Sequence, residues 1–260
     1  MIRFNTLLIT LLLLCGIATD GHTAPRKEKG RAKRVLFIGD SITDGNWGNS
    51  NGGAQPSEKR THWDMNHIYG HGYMSLCASH YQSRYPKRAY QFYNRGISGN
   101  TLQDLASRWE KDVLALNPDV VTILIGTNDV HNVLQSGNQL DYTEWDKLYR
   151  NLLDRCLKNN PEIKFVLCAP FVAHTGKMKN SPNYQARAEM VAQCADVVRQ
   201  IARDYNATLI PFDILFEKLY KETEVDSDTY WIWDGIHPTP AGHQRMADMW
   251  IKRVNRAGIL

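Results

Sequence analysis

Short apolar runs alternate along this chain with longer stretches in which apolar residues recur every three or four positions. The runs are Val35–Ile38, Tyr90–Tyr93, Val120–Ile125, Phe165–Ala169 and Leu209–Phe212, and they predict five strands. The stretches Tyr69–Tyr85, Thr101–Leu116, Thr143–Lys158, Tyr184–Tyr205 and Ala241–Arg256 predict helices. Within the fourth, Val191, Ala195, Val198, Ile201 and Ala202 share one helical face. Five strands alternating with helices predict an α/β fold in which helices wrap a parallel sheet.

One stretch breaks this rhythm. Residues 46–72 mix Gly, Asn, His, Pro and Trp with no period. They follow the first strand directly, and ligands of open α/β sheets bind where such loops meet the carboxyl ends of strands.

The N-terminus has a different pattern again. Arg3 precedes the apolar run Thr6–Leu14, and Gly16 and Ala18 have the small-residue spacing that a signal peptidase reads. Residues 1–18 therefore read as a signal peptide, 19–33 as a basic linker and 34–260 as the folded domain. An exported protein, periplasmic or extracellular, is expected. Leu14-Cys15-Gly16 raises lipoprotein anchoring at Cys15 as the lesser alternative, because Leu14 is bulkier than such a site prefers. No other segment is apolar enough to span a bilayer.

A length of 260 residues, 43% of them hydrophobic, suits one domain with a sizeable core. The net charge of +4 is modest, and six basic residues crowd into Arg26–Arg34. That run reads as solvated linker rather than a basic stripe on the folded body, so no nucleic-acid partner is expected. Cys77, Cys156, Cys168 and Cys194 form no C-x-x-C and no disulfide framework. They read as buried thiols.

Four motifs lie where a strand or loop feeds a helix: G-D-S-I-T from Gly39, N-R-G-I-S-G-N-T from Asn94, G-T-N-D from Gly126 and W-D-G-I-H-P-T from Trp233. Each alone is unspecific: a turn, a phosphate cradle, a helix cap or a surface ion pair would explain it. Together they supply a hydroxyl, a backbone N–H beside glycine, a side-chain amide, a carboxylate and an imidazole, which are the parts required for acyl transfer.

In these motifs the chain resembles the SGNH hydrolases, also called GDSL esterases and lipases. Ser41, Gly99, Asn128 and His237 match the four residues that give the family its name, and the resemblance runs from about Arg34 to Leu260. Ile42 stands where the name-giving motif has Leu, a conservative change. The resemblance implies a flavodoxin-like three-layer α/β/α sandwich with a five-stranded parallel sheet in order 2-1-3-4-5. It also implies activity without a metal or other cofactor.

The roles follow from chemistry. A serine hydroxyl needs a base to take its proton, and His237 is that candidate. Asp234, three residues earlier, can reach the imidazole Nδ1 and fix its tautomer. The backbone N–H groups of Ser41 and Gly99 and the side-chain amide of Asn128 are the candidate oxyanion donors. Activity should then fall as pH drops through the imidazole pKa, ordinarily near ~6.5. Asp40, Asp44 and Asp129 read as structural carboxylates, and Thr101 as a helix cap. His62, His67 and His71 complete no recognised metal spacing, so no metal is expected.

Trp47, Trp63, Trp231 and Trp233 are the candidate substrate-binding residues. Flat aromatic faces beside amides and hydroxyls suit sugar rings, and the loops lack the long apolar wall that an extended lipid chain would want. The leading reading is therefore a serine esterase acting on short acyl, chiefly O-acetyl, esters of a small molecule or polysaccharide. Two alternatives stay open: a lysophospholipase- or thioesterase-type lipid hydrolase, and a non-catalytic carbohydrate-binding module.

Overall fold

The computed structural model describes residues 31–46 and 67–260. Its centre is an all-parallel five-stranded sheet: β1 Arg34–Gly39, β2 Gln91–Gly96, β3 Val120–Leu124, β4 Lys164–Cys168 and β5 Thr208–Ile210. The strand order is β2-β1-β3-β4-β5, as the resemblance implied. β1 and β3 read as near-continuous apolar runs, interrupted in β3 by the buried Thr122, because both of their faces are covered. Val35 and Phe37 enter one core while Leu36 and Ile38 enter the other, and all four are fully buried.

Helices α2 (Tyr73–Arg84), α8 (Phe212–Glu222) and α9 (Pro240–Arg256) supply the first core. Helices α3 (Leu102–Ser107), α5 (Tyr142–Asn159) and α7 (Tyr184–Asp204) supply the second. The helices α1 (Ser41–Asp44), α4 (Thr127–Gln135) and α6 (Gly176–Lys179) follow the tips of β1, β3 and β4. Caps fix where several helices begin. Thr101 forms a full capping box with Asp104 at α3, Asp141 caps α5, and Thr239 caps α9 with Pro240 behind it.

Three expectations change. Phe212 does not extend β5; it heads α8, because Pro211 cannot donate to the ladder. The helix expected over Thr101–Leu116 breaks at Arg108 and resumes as a π-helical turn, Glu110–Leu114. Trp109 and Val113 are both fully buried around this break. The basic run also does not stay solvated at its end. Arg31 places Nη1 at 2.9 Å and Nη2 at 3.1 Å from the two oxygens of Asp119, and Lys33 Nζ donates to the Ile259 carbonyl at 2.6 Å. Asp119 precedes β3 and also accepts the Arg34 amide at 2.9 Å, so this anchor lies at the amino edge of the sheet.

Cys77, Cys156, Cys168 and Cys194 are all buried and unbridged. Among the described residues, no helix is long and apolar enough to cross a membrane.

Candidate active site

The site begins at the tip of β1, where two backbones nearly touch. A side chain on Gly39 would come within 2.2 Å of the Leu124 carbonyl oxygen, so only glycine lets β1 and β3 close up there. Asp40 follows and caps α1, its Oδ1 accepting the Ile42 amide at 3.0 Å. Ser41 is thus the first residue of a one-turn helix rising from the carboxyl edge of the sheet. The other end of that turn is fixed by Asn94, whose Nδ2 donates to the carbonyls of Thr43 and Asp44 and of Tyr69.

His237 reaches this serine from the far end of the chain. Ser41 Oγ and His237 Nε2 are 2.8 Å apart, and His237 Nδ1 and Asp234 Oδ2 are 2.7 Å apart. The second oxygen of Asp234 accepts the amides of Ile236 at 3.0 Å and His237 at 2.7 Å. This network assigns the ring proton to Nδ1, leaving Nε2 to accept from the serine hydroxyl. The segment Trp233–Pro238 folds back on itself, with the Trp233 amide donating to the His237 carbonyl at 3.0 Å and a bridge pairing Ile232 with Pro238.

The electrostatics follow from this wiring. Burial pushes Asp234 up, but the hydrogen bonds from the His237 ring and the two amides outweigh it and hold the carboxyl below its usual range. The Asp234 hydrogen bond raises His237 above an ordinary imidazole, against its own burial. The acid limb expected at an ordinary imidazole pKa therefore moves to higher pH. Burial pushes Asp40 up to about 7, with the Ile42 amide and His237 opposing it.

Asn128 is tied to the residue that follows Gly99. Asn128 lies in the first turn of α4 and donates from Nδ2 to the Asn100 carbonyl at 3.1 Å, which joins α4 to the loop after β2. Gly99 has φ +82° and no atom within 4 Å of where a side chain would project. Arg108 braces this loop, with Nε on Asn100 Oδ1 and Nη1 on the Arg95 carbonyl, both at 2.8 Å. Asp129 serves structure, accepting the Leu102 amide at 3.0 Å and the Trp145 indole at 2.9 Å.

The two candidate tryptophans among the described residues, Trp231 and Trp233, separate. Trp233 is 50% exposed and stacks on His237 at 5.9 Å between centroids, with Lys177 Nζ over its ring. Trp231 is only 8% exposed and belongs to the core beside α8 and α9, so it is a correction to the expected set. Thr239 bonds its carbonyl, and Gly242 at the start of α9 lets that helix pack against it. Trp47 and Trp63, with His62, lie outside the described residues. His67 and His71 face each other, Nδ1 to Nε2 at 3.0 Å. Among the described residues, no three His, Cys, Asp or Glu side chains are grouped to hold a metal.

Asn94, Arg108 and His243 are the residues that motif reading missed. His243 accepts the Tyr73 amide on Nδ1 at 3.1 Å, and burial pushes it down to about 4, so it stays neutral and ties α9 to α2. Asn94 opens a motif whose glycines carry the stronger local signal, and nothing in local spacing marks the other two.

The sequence pattern of the GDSL-like lipase/acylhydrolase family matches residues 37–245. An acetylxylan esterase of Geobacillus stearothermophilus is 30% identical over 230 residues, which is 86% of this chain and 95% of that protein. Among solved structures, a Parabacteroides merdae protein described as a GDSL-like lipase superposes with a TM-score of 0.73 at 30% identity, covering 91% of this chain and 100% of that one. The Geobacillus stearothermophilus acetylxylan esterase Axe2 superposes with a TM-score of 0.65 at 29% identity, over 85% of this chain and 94% of its own. Catalytic mutants of Axe2 replace a serine, an aspartate and a histidine, the last two spaced three positions apart.

Proposed function

The chain belongs to the GDSL-like lipase/acylhydrolase family and is a serine carboxylic ester hydrolase, and we propose that it removes short acyl groups, chiefly O-acetyl, from carbohydrate. The single observation that carries the catalytic assignment is the unbroken chain of short hydrogen bonds from Ser41 through His237 to Asp234. The Asp234–His237 spacing equals that of the aspartate and histidine changed in the Axe2 catalytic mutants.

In this mechanism Ser41 Oγ attacks the ester carbonyl as its proton passes to His237 Nε2. Asp234 stabilises the imidazolium that forms. The carbonyl oxygen becomes an oxyanion, which the Ser41 and Gly99 amides and the Asn128 side chain receive. His237 then gives its proton to the leaving alcohol oxygen, the C–O bond breaks, and an acyl-serine remains. Water, deprotonated by His237, attacks that acyl group, and Ser41 leaves with the proton returned to it. Trp233, half exposed beside the base, offers aromatic surface to the sugar. The N-terminal pattern of residues 1–18 supports export to the periplasm or beyond, where polysaccharide is met.

Acetate release from acetylated xylo-oligosaccharides, with Ser41→Ala as control, tests this reading. A nitrophenyl ester series tests the acyl length: the acetate ester is turned over faster than the octanoate, and the reverse order would favour a lipid hydrolase.

A further inference from the structure

The three oxyanion donors assigned above belong to separate segments: the Ser41 amide follows β1, the Gly99 amide follows β2, and the Asn128 side chain stands on α4. One guanidinium ties these segments together. Arg108 Nη2 lies 3.4 Å from the carbonyl of Gly39, the last residue of β1. Its Nε donates at 2.8 Å to Oδ1 of Asn100, the residue after Gly99. The Asn100 carbonyl in turn accepts Asn128 Nδ2 at 3.1 Å, so the same residue anchors the third donor. An amide nitrogen carries two hydrogens, and Asn128 keeps the other for an oxyanion. Arg108 Nη1 completes the set on the Arg95 carbonyl at 2.8 Å and Asp112 Oδ2 at 2.6 Å. Asp112 is buried and supplies the counter-charge that a shielded guanidinium requires. It stands in the π-helical turn that follows α3.

We propose that Arg108 is the positioning residue of the oxyanion hole, holding the Gly99 amide and the Asn128 side chain in register with the tip of β1 before substrate arrives. Ser98 and Gly99 are exposed, and no atom lies within 4 Å of where a Gly99 side chain would project. Packing therefore does little to hold this tip, and glycine has the most permissive backbone, so its orientation falls to its flanks. Oxyanion donors accelerate a reaction only when they are aimed beforehand at the charge that develops. Lysine cannot replace the arginine here. A guanidinium presents its donors in a rigid planar fork, whereas an ammonium is a point charge on a flexible stem. This inference rests on the assignment of Gly99 and Asn128 as oxyanion donors.

The test uses Arg108→Lys, which keeps a charge for Asp112 but loses the fork, and Asn100→Ala, which removes the Nε acceptor but keeps the carbonyl that holds Asn128. On p-nitrophenyl acetate, kcat should fall by at least about tenfold in each, with KM held within about twofold. The inhibition constant of methylboronic acid, which forms a tetrahedral adduct on a serine, should rise by the same factor as kcat falls. The acid limb of the rate profile should stay in place, because neither change touches the bonds from Ser41 through His237 to Asp234. The double variant should lose little more than either single one, since both break one contact. If Arg108→Lys fails to fold, Asn100→Ala carries the test through kcat and the boronate. Wild-type kcat in Asn100→Ala, or losses that multiply in the double variant, would overturn the role of Arg108. Wild-type kcat in Asn128→Ala would instead overturn the oxyanion assignment beneath it.

Discussion

Asp234 grips His237 at two points: one carboxylate oxygen holds the ring Nδ1 and the other holds the backbone amide of the same residue, each at 2.7 Å. The imidazole is thus fixed in position by its backbone and in tautomer by its ring. Asp234→Asn keeps the shape but removes the charge, and kcat should fall by about 10³–10⁴-fold. Asp234→Ala also strands two amides, and thermal denaturation should report a further loss of roughly 1–3 kcal/mol.

Ser41→Ala should abolish turnover, by about a millionfold, with a melting temperature near that of the wild type. Asn128→Ala should leave measurable activity, with kcat reduced by about 10²–10³-fold. A smaller loss for Ser41→Ala than for Asn128→Ala in p-nitrophenyl acetate kinetics would reverse the roles assigned here.

The rate should fall on the acid side with a midpoint above the ordinary 6.5 of imidazole, because His237 must be neutral to accept the serine proton and its pKa is raised. Stability runs the other way. The stabilisation contributed by His237 is complete below 6.5 and is lost as pH rises through its raised folded value. That contributed by Asp234 is complete above 3.8 and is lost as pH falls through its lowered folded value. The pair therefore stabilises the fold most between 3.8 and 6.5, where the base is protonated and idle. Paired pH profiles of kcat/KM and melting temperature should show the two maxima displaced.

Asp40→Asn should shift the acid limb of that profile toward lower pH, because the Asp40 carboxylate helps to raise His237. Asn still accepts the Ile42 amide, so the cap survives. Asp40→Ala loses the cap as well and should cost about 1 kcal/mol in chemical denaturation. An unmoved acid limb in Asp40→Asn would assign Asp40 to capping alone.

The sheet and the motifs at its rim were legible because both rest on local signals. Apolar runs such as Val35–Ile38 mark strands, and Gly39-Asp40-Ser41 and Asp234 to His237 carry their chemistry within a few residues. What escaped depends on distant partners. Arg108 matters through Asn100 and Arg95, and His243 through the Tyr73 amide. Trp231 and Trp233 look equivalent in sequence, yet the fold-back at Ile232 and Pro238 sends one into the core and leaves the other at the surface. Phe212 reads as strand by composition and is helix because Pro211 ends the ladder.

The clasp of Arg31 on Asp119 gives the molecule a polarity. It fastens the incoming chain to the amino edge of the sheet, a full strand length from the pole where Ser41 stands. A carrier or surface joined upstream of Arg31 would hold the enzyme by its back and leave the Ser41 pole facing away from it.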